Sequence, residues 1–246
     1  MERGHRAPVA TFFAPELHQA GELSLGDAAA RHASVRRLTE GEMIRLTDGR
    51  GNVGLASIRR LTKREFVAEL DEVKRVAALP PLELLVPVGD RDRMLWLAEK
   101  STELGISVWQ PVLFARSRSV SPRGEGPPFA AKVRARMVSA LEQSGGAWLP
   151  DIRQELPLDT AIAGVTARHR YLLDRAGERL DASVGADGVA IVFGPEGGLE
   201  QAEREQLRAN GWRPVTLAPT TLRFETAGIA AIAILRAATT TVEEGN

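Results

Sequence analysis

The sequence contains no cysteine in its 246 residues, which removes disulfides, thiolate metal ligands and cysteine nucleophiles together. Any chemistry on this chain therefore proceeds without a covalent thiol adduct. It also lacks an apolar run approaching the roughly 18 to 20 residues that a membrane-crossing helix needs, and Met1–Arg6 leads into no apolar signal core. A cytoplasmic protein is expected. Charge of one sign is missing as well: 32 Lys and Arg residues balance 32 Asp and Glu residues, leaving no overall basic footprint for a nucleic acid. Local clusters exist all the same, at Arg31, Arg36 and Arg37, at Arg59, Arg60, Lys63 and Arg64, and at Arg116, Arg118 and Arg123. Each either contributes to a phosphate track or is solvated surface.

Several catalytic signatures are absent too. There is no G-x-x-x-x-G-K-[ST] loop and no G-x-G-x-x-G after a strand, which disfavours nucleotide triphosphates and dinucleotides. The four histidines, His5, His18, His32 and His169, include no i, i+4 pair, so a metal centre is not expected. No G-x-S-x-G elbow is present for serine-nucleophile hydrolysis.

What is there is ordinary globular composition, 43% hydrophobic and 26% charged, arranged in two styles. From about Val9 to Val76 short alternating runs are joined by turns, among them Met43–Thr47, Asp48-Gly49-Arg50-Gly51-Asn52, Val53–Ile58 and Glu65–Val73. Asp-Gly between alternating runs signals a hairpin, and the pattern predicts a small β-barrel. Ala77-Ala78-Leu79-Pro80-Pro81 follows, and its paired prolines make it the linker, giving domains at 1–78 and 79–246. Beyond it, apolar runs at Leu82–Val88, Val108–Phe114, Tyr171–Leu173, Val189–Phe193 and Pro214–Leu217 alternate with helix-like stretches at Arg93–Leu104, around Phe129–Leu141, at Leu199–Ala209 and at Glu225–Thr240. That alternation predicts an α/β domain with a largely parallel sheet.

Three strand ends in this second part carry residues suited to a site. Gly194-Pro195-Glu196-Gly197-Gly198 follows Val189–Phe193 directly, at the carboxyl edge where open α/β sheets bind ligands. A tight turn alone would also account for its glycines. Leu217–Ala227 repeats the pattern of strand end, turn and helix start, with Glu225 where an acid suits the helix dipole. Leu172–Gly177 is read as a third loop after a strand, so the three could converge on one pocket.

Glu99–Ile106, Pro111 with Arg116, Glu142-Gln143-Ser144-Gly145, Gly194–Gly198 and Leu222–Ala227 occur in the order and spacing of the RsmE-type ribosomal RNA methyltransferases of the SPOUT superfamily. The chain resembles that family over nearly its whole length, and Arg31-His32, Arg36-Arg37-Leu38 and Asp48–Gly51 look like its first domain. The resemblance implies a PUA-like β-barrel for RNA at the N-terminus and a SPOUT α/β domain with a trefoil knot at the C-terminus. It further implies a homodimer that uses S-adenosyl-L-methionine to methylate N3 of a specific uridine in 16S ribosomal RNA, without metal or membrane. Ala218, Thr220 and Gly146 depart from the pattern, standing where glycine, arginine and arginine are usual.

Carried over by motif, the cofactor site comprises Leu172, Leu173, Gly194, Pro195, Glu196, Gly197, Gly198, Leu217, Leu222, Arg223, Glu225, Thr226 and Ala227. Arg116 and Arg223 are the candidates for positioning RNA phosphate or stabilising a uracil anion, and Glu196 for accepting a proton or simply capping a helix. Glu225 either shares that role or caps its helix, and Phe224 either stacks on the target base or belongs to the core. Arg31, Arg36, Arg37, Arg116 and Arg118 are the candidate RNA contacts. The same fold acting on another RNA position, or a noncatalytic RNA-binding factor, are the alternatives.

Overall fold

The structure, a computed structural model, describes residues 7–119, 122–180, 182–183 and 188–239. It divides into two compact units, Met1–Ala78 with Val138–Leu149, and Leu79–Met137 with Pro150–Asn246. The division after Ala78 lies in the Ala-Ala-Leu-Pro-Pro segment. Val138–Leu149, expected with the second domain, groups instead with the first, because its polar groups bond there. Gly51 donates to the Ala147 carbonyl at 2.9 Å, Leu149 to Gly49 at 2.8 Å, and the Phe13 N–H to the Glu142 carboxylate at 2.9 Å.

The first unit contains strands β1 (Thr11–Phe13) and β2 (Gly21–Ser24), helix α1 (Gly26–Val35), and strands β3 (Met43–Thr47), β4 (Asn52–Leu61), β5 (Phe66–Leu70) and β6 (Lys74–Arg75). The strands form one sheet in the order β1-β3-β4-β5-β2, with β6 beside β4. All pairings are antiparallel except that of β1 with β3. Asp48 organises the hairpin between β3 and β4, its carboxylate accepting from the Arg50 and Asn52 amides at 2.7 and 3.0 Å. Helix α1 was not foreseen from the sequence. It packs through Ala30 and Ala33 into a core with Phe12, Ile44, Ile58 and Phe66, so no row of large apolar residues announces it.

The second unit alternates strand and helix: β7 (Leu82–Pro87), α2 (Arg91–Glu103), β8 (Val108–Leu113), α3 (Pro127–Ser144, whose end belongs to the first unit), β9 (Asp151–Ile152), β10 (Leu156–Pro157), α4 (Leu158–Ala163), β11 (His169–Arg179), β12 (Val189–Val192), α5 (Gln201–Ala209), β13 (Arg213–Thr216) and α6 (Phe224–Thr239). Its seven strands run in the order β10-β8-β7-β12-β11-β13, with β9 on β8. Every pairing is parallel. Both β7 and β12 are buried at all positions, as strands covered on both faces must be.

Two features of this unit set up the site. Strand β11 continues well past Leu173, where a loop was expected, because its register on β13 shifts between Leu173 and Glu178. Gly177 allows that close pairing, since a Cβ there would stand 2.4 Å from the Pro214 carbonyl carbon and the Val215 nitrogen. Helix α6 is held by Arg236, which is largely buried and donates to the carbonyls of Pro80, at 2.6 Å, and Gly105. Burial pushes the pKa of its guanidinium down to about 10.

Candidate functional site

Strands β12, β11 and β13 are parallel neighbours, so their carboxyl ends open on the same edge of the sheet. A cavity of about 530 Å³ lies there, within the range of about 300 to 1,000 Å³ typical of small-molecule sites. One wall is the segment leaving β12, which closes as a tight turn with the Gly198 N–H donating to the Pro195 carbonyl at 2.8 Å. Gly198 adopts φ +70°, a left-handed conformation that a side chain would strain. Leu217 to Arg223 form another wall, where the Thr216 hydroxyl donates to the Ala218 carbonyl at 3.3 Å. From β11 come Leu173, Asp174 and Arg175, the last reaching the Thr221 hydroxyl at 3.5 Å.

The aromatic rings Phe193 and Phe224 line the cavity together, stacked at 6.5 Å and 18°. Phe224 is buried, and that stacking gives it a place in the core of the site. The apolar lining also includes Leu199 and Val215.

Apart from Arg175 and Arg223, the charged groups divide into two sets. Arg93, from the first turn of α2, stands 3.9 Å from Glu196 and 3.9 Å from Glu225. The Glu196 carboxylate also accepts from the Asp90 amide at 3.1 Å. Glu225 is buried, and its second oxygen has no hydrogen-bond partner among the described residues. A buried carboxylate in that condition is costly without a nearby cation, which Arg93 supplies. The second set is an ion pair between Asp174 and Arg204 on the cavity wall.

Behind the glycine-rich turn, the Arg116 guanidinium donates to the Gly197 carbonyl at 2.6 Å and lies 3.9 Å from Glu200. Glu203 accepts from the Ala115 amide at 2.7 Å and closes a capping box with Glu200 at the start of α5. The short 3₁₀ turn Ala115–Ser119 is thus tied to the turn that walls the cavity.

Of the residues singled out from the sequence, Leu173, Gly194, Pro195, Glu196, Gly198, Leu217, Leu222, Arg223 and Ala227 line the cavity, as do Ala218 and Thr220. Leu172 does not, being fully buried in the core with Ala190 and Trp212. Gly197 faces the Arg116 side chain, Glu225 is turned to Arg93, and Thr226 is exposed on the first turn of α6. The Arg118 side chain lies outside the described residues. Arg31, Arg36 and Arg37 are exposed at the end of α1 in the first unit, with no acidic partner among the described residues. By contrast Arg59, Arg60 and Arg123 pair with Glu69, Glu65 and Glu125.

Sequence reasoning missed Arg93 and Arg204. Both sit on helices whose charged residues read as solvated faces, and their partners are distant in sequence. No signal in the sequence singles them out, since Glu196, Glu225 and Asp174 come near them only in the folded chain. Among the described residues no group of three or more His, Cys, Asp or Glu is arranged to hold a metal ion, and no helix is long and apolar enough to cross a membrane.

A family model described as an RNA methyltransferase domain matches residues 77–236, and one described as an RNA methyltransferase PUA domain matches residues 25–71. The ribosomal RNA small subunit methyltransferase E of Aquifex aeolicus is 27% identical over 233 residues, 91% of this chain and 97% of that protein. A methyltransferase of Legionella pneumophila solved with SAM bound superposes with a TM-score of 0.84 at 26% identity, covering 95% of this chain and 99% of the other. The ribosomal RNA small subunit methyltransferase E of Neisseria gonorrhoeae, solved with S-adenosyl methionine, gives 0.83 at 28% identity, with 94% and 98% covered.

Proposed function

The chain belongs to the RNA methyltransferase family, and from that premise we propose that it transfers a methyl group from S-adenosyl-L-methionine to N3 of a specific uridine in 16S ribosomal RNA. The observation that carries this reading is the cavity at the carboxyl ends of β12, β11 and β13, formed in a chain that matches cofactor-bound methyltransferases along almost their full length.

The residues present fit the cofactor. Phe193, Leu199, Val215 and Leu217 offer apolar surface for a purine ring, while backbone groups of residues 194–198 and 217–222 offer donors and acceptors to its polar edge. When bound, the cofactor supplies an electrophilic methyl group on a sulfonium. The chain's own tasks are to hold the nucleophile in line and to favour loss of the N3 proton.

Glu196 is the proton acceptor in this proposal. It lines the cavity and is partly exposed, whereas Glu225 is buried outside that lining and Asp174 is engaged by Arg204. Arg223, exposed at the cavity mouth, neutralises charge on the uracil anion. Arg116 is a positioning residue that holds the glycine-rich turn through the Gly197 carbonyl. Uracil N3 is occupied in a base pair, so the target nucleotide enters unpaired or flipped out.

RNA affinity comes from the first unit through Arg31, Arg36 and Arg37, with Arg118 as a further contact. Domain roles at 1–78 and 79–246, the trefoil knot, the homodimer and action in the cytoplasm on 16S RNA or the small subunit belong to the same proposal. Primer extension on ribosomal RNA tests it, because an N3 methyl blocks base pairing and stops the polymerase. A deletion strain should lose one stop in 16S RNA and regain it from a plasmid copy. A deletion strain that keeps every wild-type stop contradicts the uridine assignment.

A further inference from the structure

The cavity wall contains an acid and a base bound to each other. Asp174 on β11 and Arg204 on α5 both line the cavity, and the Asp174 side chain is 9% exposed. One Asp174 oxygen accepts from the Ala176 amide at 3.0 Å and the other from an Arg204 terminal nitrogen. A carboxylate offers about four lone-pair positions and a guanidinium five N–H donors. Both groups therefore retain unused capacity, and among the described residues Arg204 has no side-chain partner besides Asp174. The other cavity charges are differently placed. Arg93 stands between Glu196 and Glu225, and Arg175 reaches across to Thr221.

As a brace between β11 and α5 such a pair contributes little, because the hydration Asp174 gives up is only roughly offset by its attraction to the partly exposed Arg204. At a cavity wall, with spare donors on one member and spare acceptors on the other, it has a different use. A zwitterion complements it: an α-carboxylate meets the open edge of the guanidinium, where bidentate geometry is available, and an α-ammonium meets the aspartate. The amino-acid end by itself adds no net charge to the cavity.

We infer that Asp174 and Arg204 recognise the amino-acid end of the methyl donor. This rests on the cofactor reading given above and extends it from the ring-binding surfaces to the charged end of the molecule. The pair acts as a specificity determinant, separating complete cofactors from adenosyl fragments that lack the amino acid.

Calorimetric titration of the full chain with three probes, S-adenosylmethionine, S-adenosylhomocysteine and 5′-methylthioadenosine, tests the inference. Arg204→Gln and Asp174→Asn are each expected to weaken the first two by about tenfold or more while leaving 5′-methylthioadenosine within about twofold of wild type. Arg204→Lys should recover only part of the loss, since it keeps the charge without the planar fork. Equal weakening of all three probes, or no change in any, makes the pair a brace and overturns the inference. Asp174→Asn, nearly isosteric, decides the matter if Arg204→Gln fails to fold. A wild-type chain that binds none of the three overturns the cofactor reading as well, whereas one that binds all three equally overturns only the role of the pair.

Discussion

Strand β7 is buried at each position from Leu82 to Pro87, while β3 alternates between buried and partly buried from Met43 to Leu46. The two sheets follow suit. In the second unit the central strands lie covered on both faces, so side chains there are committed to packing and chemistry is confined to the strand ends. In the first unit one face of the sheet is free to carry polar groups, and α1 ends in exposed arginines without acidic partners among the described residues. The contrast is what the proposed division of labour rests on: strand ends of a buried parallel sheet around a cavity in one unit, and exposed arginines in the other.

The largest expected effect comes from Gly177→Val. Its Cβ would collide with the Pro214–Val215 backbone at 2.4 Å, so β13 must move and one cavity wall moves with it. Stability is expected to fall by about 3 kcal/mol or more in urea unfolding, with S-adenosylmethionine binding lost. Gly54→Ala sharpens the comparison. A Cβ there would lie 2.6 Å from the Glu72 carbonyl in the first unit, so it should cost stability on the same scale yet leave cofactor affinity unchanged below the melting range.

Replacing Arg31, Arg36 and Arg37 together by Gln is expected to weaken binding of a 16S RNA fragment by roughly 100-fold at low salt and to reduce the slope of log K against log salt by about 2 to 3. Cofactor titrations on the same variant should match wild type. Smaller is the effect of Arg236→Met, which leaves the Pro80 and Gly105 carbonyls without their donor. Loss of about 2 kcal/mol in denaturant unfolding is the prediction. Smallest is Arg37→Gly. Arg37 holds φ +57° just past α1, and relieving that strain should stabilise the protein by about 0.5 to 1 kcal/mol while reducing RNA affinity.

How far the sequence anticipates this depends on whether a residue's role is local. Strands β7, β8, β12 and β13 stand within a residue or two of the apolar runs that predict them, and for β7 and β12 the reason is that burial on both faces writes itself as a continuous run. Helix α2 stops before Gly105 and α5 before Asn210-Gly211, where the cap residues place their ends. Helix α1 is silent because its buried contacts are alanines. The polar stretch Asp174-Arg175-Ala176-Gly177 reads as loop, and it belongs to the strand because Leu173 before it and Glu178 after it both pair with Val215 of β13.

The site divides in the same manner. The glycine-rich turn and the Leu217–Arg223 loop are contiguous motifs and were legible. Arg93 and Arg204 acquire their meaning from Glu196, Glu225 and Asp174, partners that only the folded sheet brings near.

The most direct test of the account supplies purified protein with S-adenosylmethionine carrying a labelled methyl group and with 16S RNA or small subunits from a deletion strain, followed by nucleoside analysis. The expected result is label in 3-methyluridine, at a single position, with wild type and none with Gly177→Val. Label in any other nucleoside, or no transfer to either substrate by a wild-type chain that binds the cofactor, would contradict it.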